Sequence, residues 1–182
     1  MVEEFVGGES FRSPSRCVLQ TLAASVLGAE IGAAFHRHRN GPGGWWIIDQ
    51  PEIHLGRDVL VPDIAGWRSE ELPASLDSEA VELPPAWVCE VVTPATARLD
   101  RKFKLPAYAR SGVEHLWLVD PAQRSLDVML QTGGRWMLVE SFTDRDRVRS
   151  KPFDAMEIEL EHLWGLTALA AESAEIAPPR HA

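Results

Sequence analysis

The run AWVCEVV, ending at Val92, sets one carboxylate, Glu90, inside an otherwise apolar stretch. An ionised carboxylate in a covered strand must be paired or must bind a cation. A second carboxylate, Asp63, follows Pro62 in VLVPDIAGW. If buried without a partner it would cost on the order of several kcal/mol. Asp63 and Glu90 on neighbouring strands could together hold a hard divalent cation. Mg²⁺ suits such a pair, because it accepts one or two carboxylates and keeps several waters; Mn²⁺ is the alternative. Downstream, Asp100, Lys104 and Tyr108 are spaced four apart and share one helical face. Lys104 can reach back over the strand end to orient a water or to stabilise phosphate charge. Plainer readings stand beside these: Asp63 as an exposed turn residue, Glu90 in a buried ion pair with an arginine, and Asp100–Lys104 as a surface pair worth a few tenths of a kcal/mol.

The elements that must position these residues can be read from the pattern. Residues 1–13 read as a loose leader, 14–170 as one domain and 171–182 as a fraying tail. From Pro14 the spacing of Val18, Leu19, Leu22, Val26, Leu27, Ile31 and Phe35 predicts a helix. Ser13 or Ser15 would cap it, and Asn40-Gly41-Pro42 would stop it. GGWWIIDQPEIHL reads as one or two strands, Gly56-Arg57-Asp58 as a turn, and Val59 to Trp67 as a further strand whose Pro62 marks an edge, bulge or bend. AWVCEVV reads as a central strand covered on both faces. Ala97 to Ser111 reads as a helix ended by Gly112, HLWLV as another buried strand, and SLDVMLQ with RWMLVES as a hairpin about Thr132-Gly133-Gly134. This order predicts an α/β (α+β) domain, a mixed central sheet flanked by helices with an added β-hairpin.

Asp63 after proline, Glu90 at a buried strand end, TPAT, the Asp100–Lys104–Tyr108 helix and HLWLVDP occur here in one order. From about Val59 to Pro121 that combination resembles the bacterial family of putative restriction endonucleases within the PD-(D/E)XK nuclease superfamily. The resemblance implies a restriction-endonuclease-like core, Asp63 and Glu90 as metal ligands, and Lys104 in the role of the catalytic lysine. The chain departs from the superfamily triplet, since Val92 stands where its lysine would be; the resembling family moves that lysine to the following helix. Superfamily members often add a glutamate from the first helix. Glu30 is the candidate for that role, or else a charge at the margin of the apolar face.

Composition narrows the rest. With 182 residues, 45% hydrophobic and 25% charged, the chain fits one globular domain. The net charge of −9 argues against sequence-independent coating of DNA, which rests on many phosphate contacts. No apolar run reads as a membrane span and no signal-peptide pattern opens the chain. Cys17 and Cys89 stand far apart and read as buried thiols of a reducing cytoplasm. His36 and His38 read as a helix end or as phosphate contacts. His54 and His115 read as structural. Trp45 and Trp46 face opposite sides of a strand, the outward one fitting a partner surface.

The favoured expectation is a cytoplasmic, homodimeric, metal-dependent nuclease acting on nucleic acid, most simply DNA. In it Asp63, Glu90 and the carbonyl of Val91 hold Mg²⁺ or Mn²⁺, and Lys104 is the catalytic cation. The alternative is a catalytically silent nuclease fold kept as a DNA- or protein-binding module.

Overall fold

The computed structural model describes residues 2–13, 16–72 and 79–165. The chain opens on two strands, β1 Val2–Val6 and β2 Glu9–Ser13, paired antiparallel. Gly7 and Gly8 join them at φ +62° and +86°, a turn that favours residues without a Cβ. The expected loose leader is therefore a hairpin. VEEFV and ESFRS alternate across a Gly-Gly turn, and the inward side chains Glu4 and Val6 are buried.

The first helix, α1, spans Val18–Ile31 and continues as a π-helical turn, Gly32–His36. Cys17 sits at its N-cap with no side-chain cap bond, and Ser13 lies in β2, so the expected serine cap is not made at Ser13. Ser15 lies outside the described residues. The helix stops before Asn40: His38 and Asn40 adopt positive φ. Contrary to the sequence reading, Val18–His36 is long and apolar enough to cross a membrane by length and composition. Its stripe Ala23, Ala24, Leu27 and Ile31 is instead buried against the sheet.

Six strands form the central sheet, in the order β10-β9-β8-β7-β6-β3. These are β3 Trp45–Asp49, β6 Ile64–Arg68, β7 Trp87–Val91, β8 His115–Asp120, β9 Ser125–Thr132 and β10 Arg135–Thr143. Only β7 and β8 run parallel, so the sheet is mixed as expected. A smaller sheet, β2-β1-β5-β4, adds β4 Ile53–Leu55 and β5 Asp58–Leu60. The single strand expected over Val59 to Trp67 is thus two strands in two sheets. Pro62 cannot donate to a ladder, and the break falls at Val61–Asp63. Asp63 sits at that break rather than mid-strand. Two short strands, β11 Arg147–Val148 and β12 Ile158–Glu159, and a 3₁₀ turn, Leu160–Trp164, close the described chain. The expected tail lies outside the described residues.

Both faces of the sheet are covered. Trp87, Cys89 and Val91 of β7 face α1, packing with Leu27, Ile31, Trp117 and Phe153. Val88 and Val92 face the other way, toward Leu116, Leu118 and Tyr108. Each large side chain so buried is worth about 1.5–3 kcal/mol. Trp45 and Trp46 take opposite faces, and both are half-buried, packed on Phe153 and His36 respectively. Neither forms the open partner surface expected. Cys89 is buried but Cys17 is exposed, so only one thiol matches its expected burial.

The helix after β7 is interrupted: α2 Ala97–Leu99, a π-helical stretch Asp100–Lys104, then α3 Leu105–Arg110. Gly112, at φ +87°, follows its end.

Candidate active site

Period-two alternation decides where Glu90 points. Its neighbours Cys89 and Val91 face α1, so Glu90 faces the Asp100–Arg110 helix. There the hydroxyl of Tyr108 donates to Glu90 Oε1 at 2.7 Å, and Lys104 Nζ lies 2.8 Å from the same oxygen. Glu90, Lys104 and Asp100 are 2%, 3% and 3% exposed, which excludes the plain surface pair for Asp100–Lys104.

Asp63 projects from the break between the two sheets. Its Oδ2 accepts the Val91 backbone N–H at 2.5 Å, and its Oδ1 meets the Arg16 guanidinium. Asp63 and Glu90 therefore flank one spot at the end of β7, as the sequence predicts. The carbonyl of Val91 is also present, but it already accepts a hydrogen bond from Gln20 Nε2 at 2.9 Å.

Three contributors were not legible as site residues. Glu4, from the hairpin, lies 3.1 Å from Lys104 Nζ and accepts the Val61 N–H at 2.8 Å. Gln20 and Arg16 come from the start of α1 and the residues just before it. Glu30 does not join them. It lies ten residues beyond Gln20, about 15 Å along the helix, and pairs with His162 at 3.6 Å. The additional carboxylate beside Lys104 comes from β1, not from the first helix.

Lys104 has three N–H donors. They are met by Glu90, Glu4 and the Val61 carbonyl at 3.0 Å, with Asp100 at 3.9 Å. Burial alone would lower the lysine's pKa, but Glu90, Glu4 and Asp100 outweigh it and raise it above the ordinary value. Burial pushes the carboxyls upward: Asp63 is raised despite Arg16 and Lys104, Glu90 is raised well above its usual range, and Asp100 reaches about 6. Four carboxylates face two cations, a formal excess of two negative charges.

That excess bears on metal binding. The side-chain donors are carboxylate oxygens, which suit Mg²⁺ or Mn²⁺. A divalent ion would cancel the charge the two cations leave. The recess between them holds about 40 Å³ and is lined by Gln50, Thr96 and Leu99 as well as the charged groups. It has room for an ion with a water or two, not for a nucleotide. The carboxylates of Glu4, Asp63, Glu90 and Asp100 that line it therefore fit a hard divalent cation.

A protein-family model described as "Putative restriction endonuclease", Uma2, matches residues 4–161. The chain belongs to the Uma2 family. The match begins at Glu4, so the hairpin carboxylate lies inside the family's extent. Among solved structures, the chain is similar to a putative nuclease belonging to DUF820 from Anabaena variabilis ATCC 29413. The identity is 16%, 89% of each chain is covered and the TM-score is 0.73. That likeness shows the shared fold. No curated protein matches the chain.

Among the described residues the histidines stay outside the site. His36 Nδ1 accepts the Ile47 N–H at 3.2 Å, and His54 pairs with Glu52 at 2.8 Å. His115 is held below its ordinary pKa by burial.

Proposed function

We propose that this Uma2 chain is a divalent-metal-dependent nuclease that hydrolyses phosphodiester bonds, with DNA as its substrate. The observation that carries the reading is the convergence of Glu90, Glu4 and Asp100 on Lys104, with Asp63 beside them in the same recess of ion size.

Asp63, Glu90 and the remaining lone pair of the Val91 carbonyl would hold the ion. When bound, the ion supplies Lewis acidity toward a phosphate oxygen and lowers the pKa of water. The protein's own groups do the rest. Tyr108 fixes the rotamer of Glu90, and Gln20 fixes the Val91 carbonyl. Lys104, with its raised pKa, stays cationic. It therefore serves as a hydrogen-bond donor and a charge stabiliser, not as a general base. Arg98 and Arg101, exposed near the Thr96–Asp100 rim and free of ion pairs among the described residues, offset the carboxylates' repulsion of a phosphate backbone.

A second reading is a catalytically silent module that binds DNA or protein. It is favoured by the saturation of Lys104, whose three donors all end on the protein. Titration calorimetry with Mg²⁺ and Mn²⁺ on wild type and Glu90→Gln, paired with a nuclease assay, separates the two. Metal binding and cleavage, both lost in the variant, support the nuclease. Nucleic-acid binding that survives Lys104→Ala, with no cleavage by wild type, supports the module.

A further inference from the structure

We infer that β10 is a self-association surface, on which a second copy of this chain adds its own β10 antiparallel across the sheet edge. This goes beyond the nuclease reading and does not depend on it.

The central sheet ends in two edges, and they are treated differently. At β3 the edge is blunted: His36 takes the Ile47 N–H, and its ring packs edge-on against Trp46 at 5.1 Å. At β10 no strand or ring covers the outer side among the described residues. β10 is nine residues long, and Met137, Leu138 and Val139 are 50%, 56% and 44% exposed. They are the only three consecutive large apolar side chains exposed among the described residues. A long, apolar, unpaired edge is a template for another strand, and a contiguous exposed apolar patch marks an interaction site.

The charges on β10 select a copy of itself. A bulge between Leu138 and Glu140 shifts the register, so that Arg135 lies opposite Thr132 and Glu140 opposite Val128. Thr132 and Val128 share one face of β9, so Arg135 and Glu140 share one face of β10. Arg135 has no ion pair among the described residues. Glu140 receives only the Ser150 hydroxyl. Antiparallel pairing about a two-fold axis at Met137, which lies opposite Leu130 midway between Thr132 and Val128, brings Arg135 of each copy to Glu140 of the other, and it places the apolar run near the centre. That is the self-complementary pattern of an isologous interface.

The test is sedimentation velocity on the full chain. Wild type should sediment at twice the 20.2 kDa chain mass. Leu138→Lys should sediment as a monomer with unchanged circular dichroism. Leu83→Lys, a control at another exposed apolar residue, should remain dimeric. As an independent readout, Met137→Cys in a Cys17→Ser background should oxidise to a covalent dimer, since Met137 lies on the proposed axis. A monomeric wild type at high micromolar concentration would overturn the inference. So would a dimer that persists in Leu138→Lys, or a β10 edge that binds only a different protein.

Discussion

Tyr108 and Lys104 meet the same oxygen of Glu90, at 2.7 and 2.8 Å, from positions one helical turn apart. The π-helical stretch Asp100–Lys104 runs directly into α3, and together they lay both donors over the end of β7. Glu90 is thus held from one side only, which leaves its far side toward Asp63 and the recess.

Tyr108→Phe removes one of these donors without changing the shape of the core. A hydrogen bond to a charged partner contributes about 1.5–3 kcal/mol. The variant should lose about 2 kcal/mol in urea unfolding, with an unchanged m-value. It should bind Mn²⁺ less tightly, because Glu90 is no longer confined to one rotamer. Unfolding at the wild-type midpoint would show that the hydroxyl does not hold Glu90.

Stability should depend on pH in a direction set by Asp100. Its carboxyl titrates at about 6 in the fold against an ordinary 3.8. Between those values the folded protein keeps a proton that the unfolded chain has released. The Asp100 contribution to stability is therefore fully present below about pH 4, is lost as pH rises toward 6 and is level above, a share on the order of 3 kcal/mol. Asp63 and Glu90, also raised, act with the same sign. Metal affinity should move the opposite way and strengthen from pH 5 to 7 as the protons leave. Thermal melts of wild type and Asp100→Asn across this range, with and without Mg²⁺, measure both. A metal-free melting-temperature difference between wild type and Asp100→Asn that stays constant through the window would contradict the assignment.

Asp63, Glu90 and Lys104 were legible because each breaks a local pattern. Glu90 interrupts an apolar run, Asp63 follows a proline in a strand, and Lys104 repeats at helical spacing from Asp100. The fold class was legible for the same reason, since its periodicities are local. Glu4, Arg16 and Gln20 were not, because their partners lie far along the sequence: Val61 is 57 residues from Glu4, and Val91 is 71 from Gln20. Signals did exist. The alternation around Gly7-Gly8 marks a hairpin, and Gln20 lies in phase with the buried stripe Ala23, Ala24, Leu27 and Ile31. Glu30 was proposed because the first helix was expected to supply a carboxylate, but the helix points that residue at His162.

Glu4 and Glu30 should consequently behave differently. Glu4→Gln leaves Lys104 with one fewer anion and should weaken Mn²⁺ binding measurably. It should also cost about 1–3 kcal/mol in stability, from the disturbed Val61 and Lys104 contacts. Glu30→Gln removes a partly exposed pair with His162 and should change stability by no more than about 0.5 kcal/mol, with metal affinity intact. Calorimetry on the two variants side by side decides the matter. Equal losses of affinity would mean that the hairpin carboxylate has no special place at the site.

Arg16 is where the charge balance can be tested most directly. Its guanidinium sits on Asp63 Oδ1, while the Val91 N–H holds Oδ2. Both oxygens of Asp63 are thus taken, and a divalent ion that binds through Oδ1 must displace the guanidinium. Arg16→Gln removes that competitor and raises the formal negative excess from two to three. Without metal the variant should be less stable than wild type by about 1–3 kcal/mol, because a buried carboxylate loses its charged partner. With Mg²⁺ most of that loss should return. Mn²⁺ affinity, read by electron paramagnetic resonance or calorimetry, should rise about tenfold, the equivalent of about 1.4 kcal/mol. Affinity that stays level or falls would mean that the ion does not use Oδ1, and that Arg16 neutralises Asp63 as a permanent part of the fold.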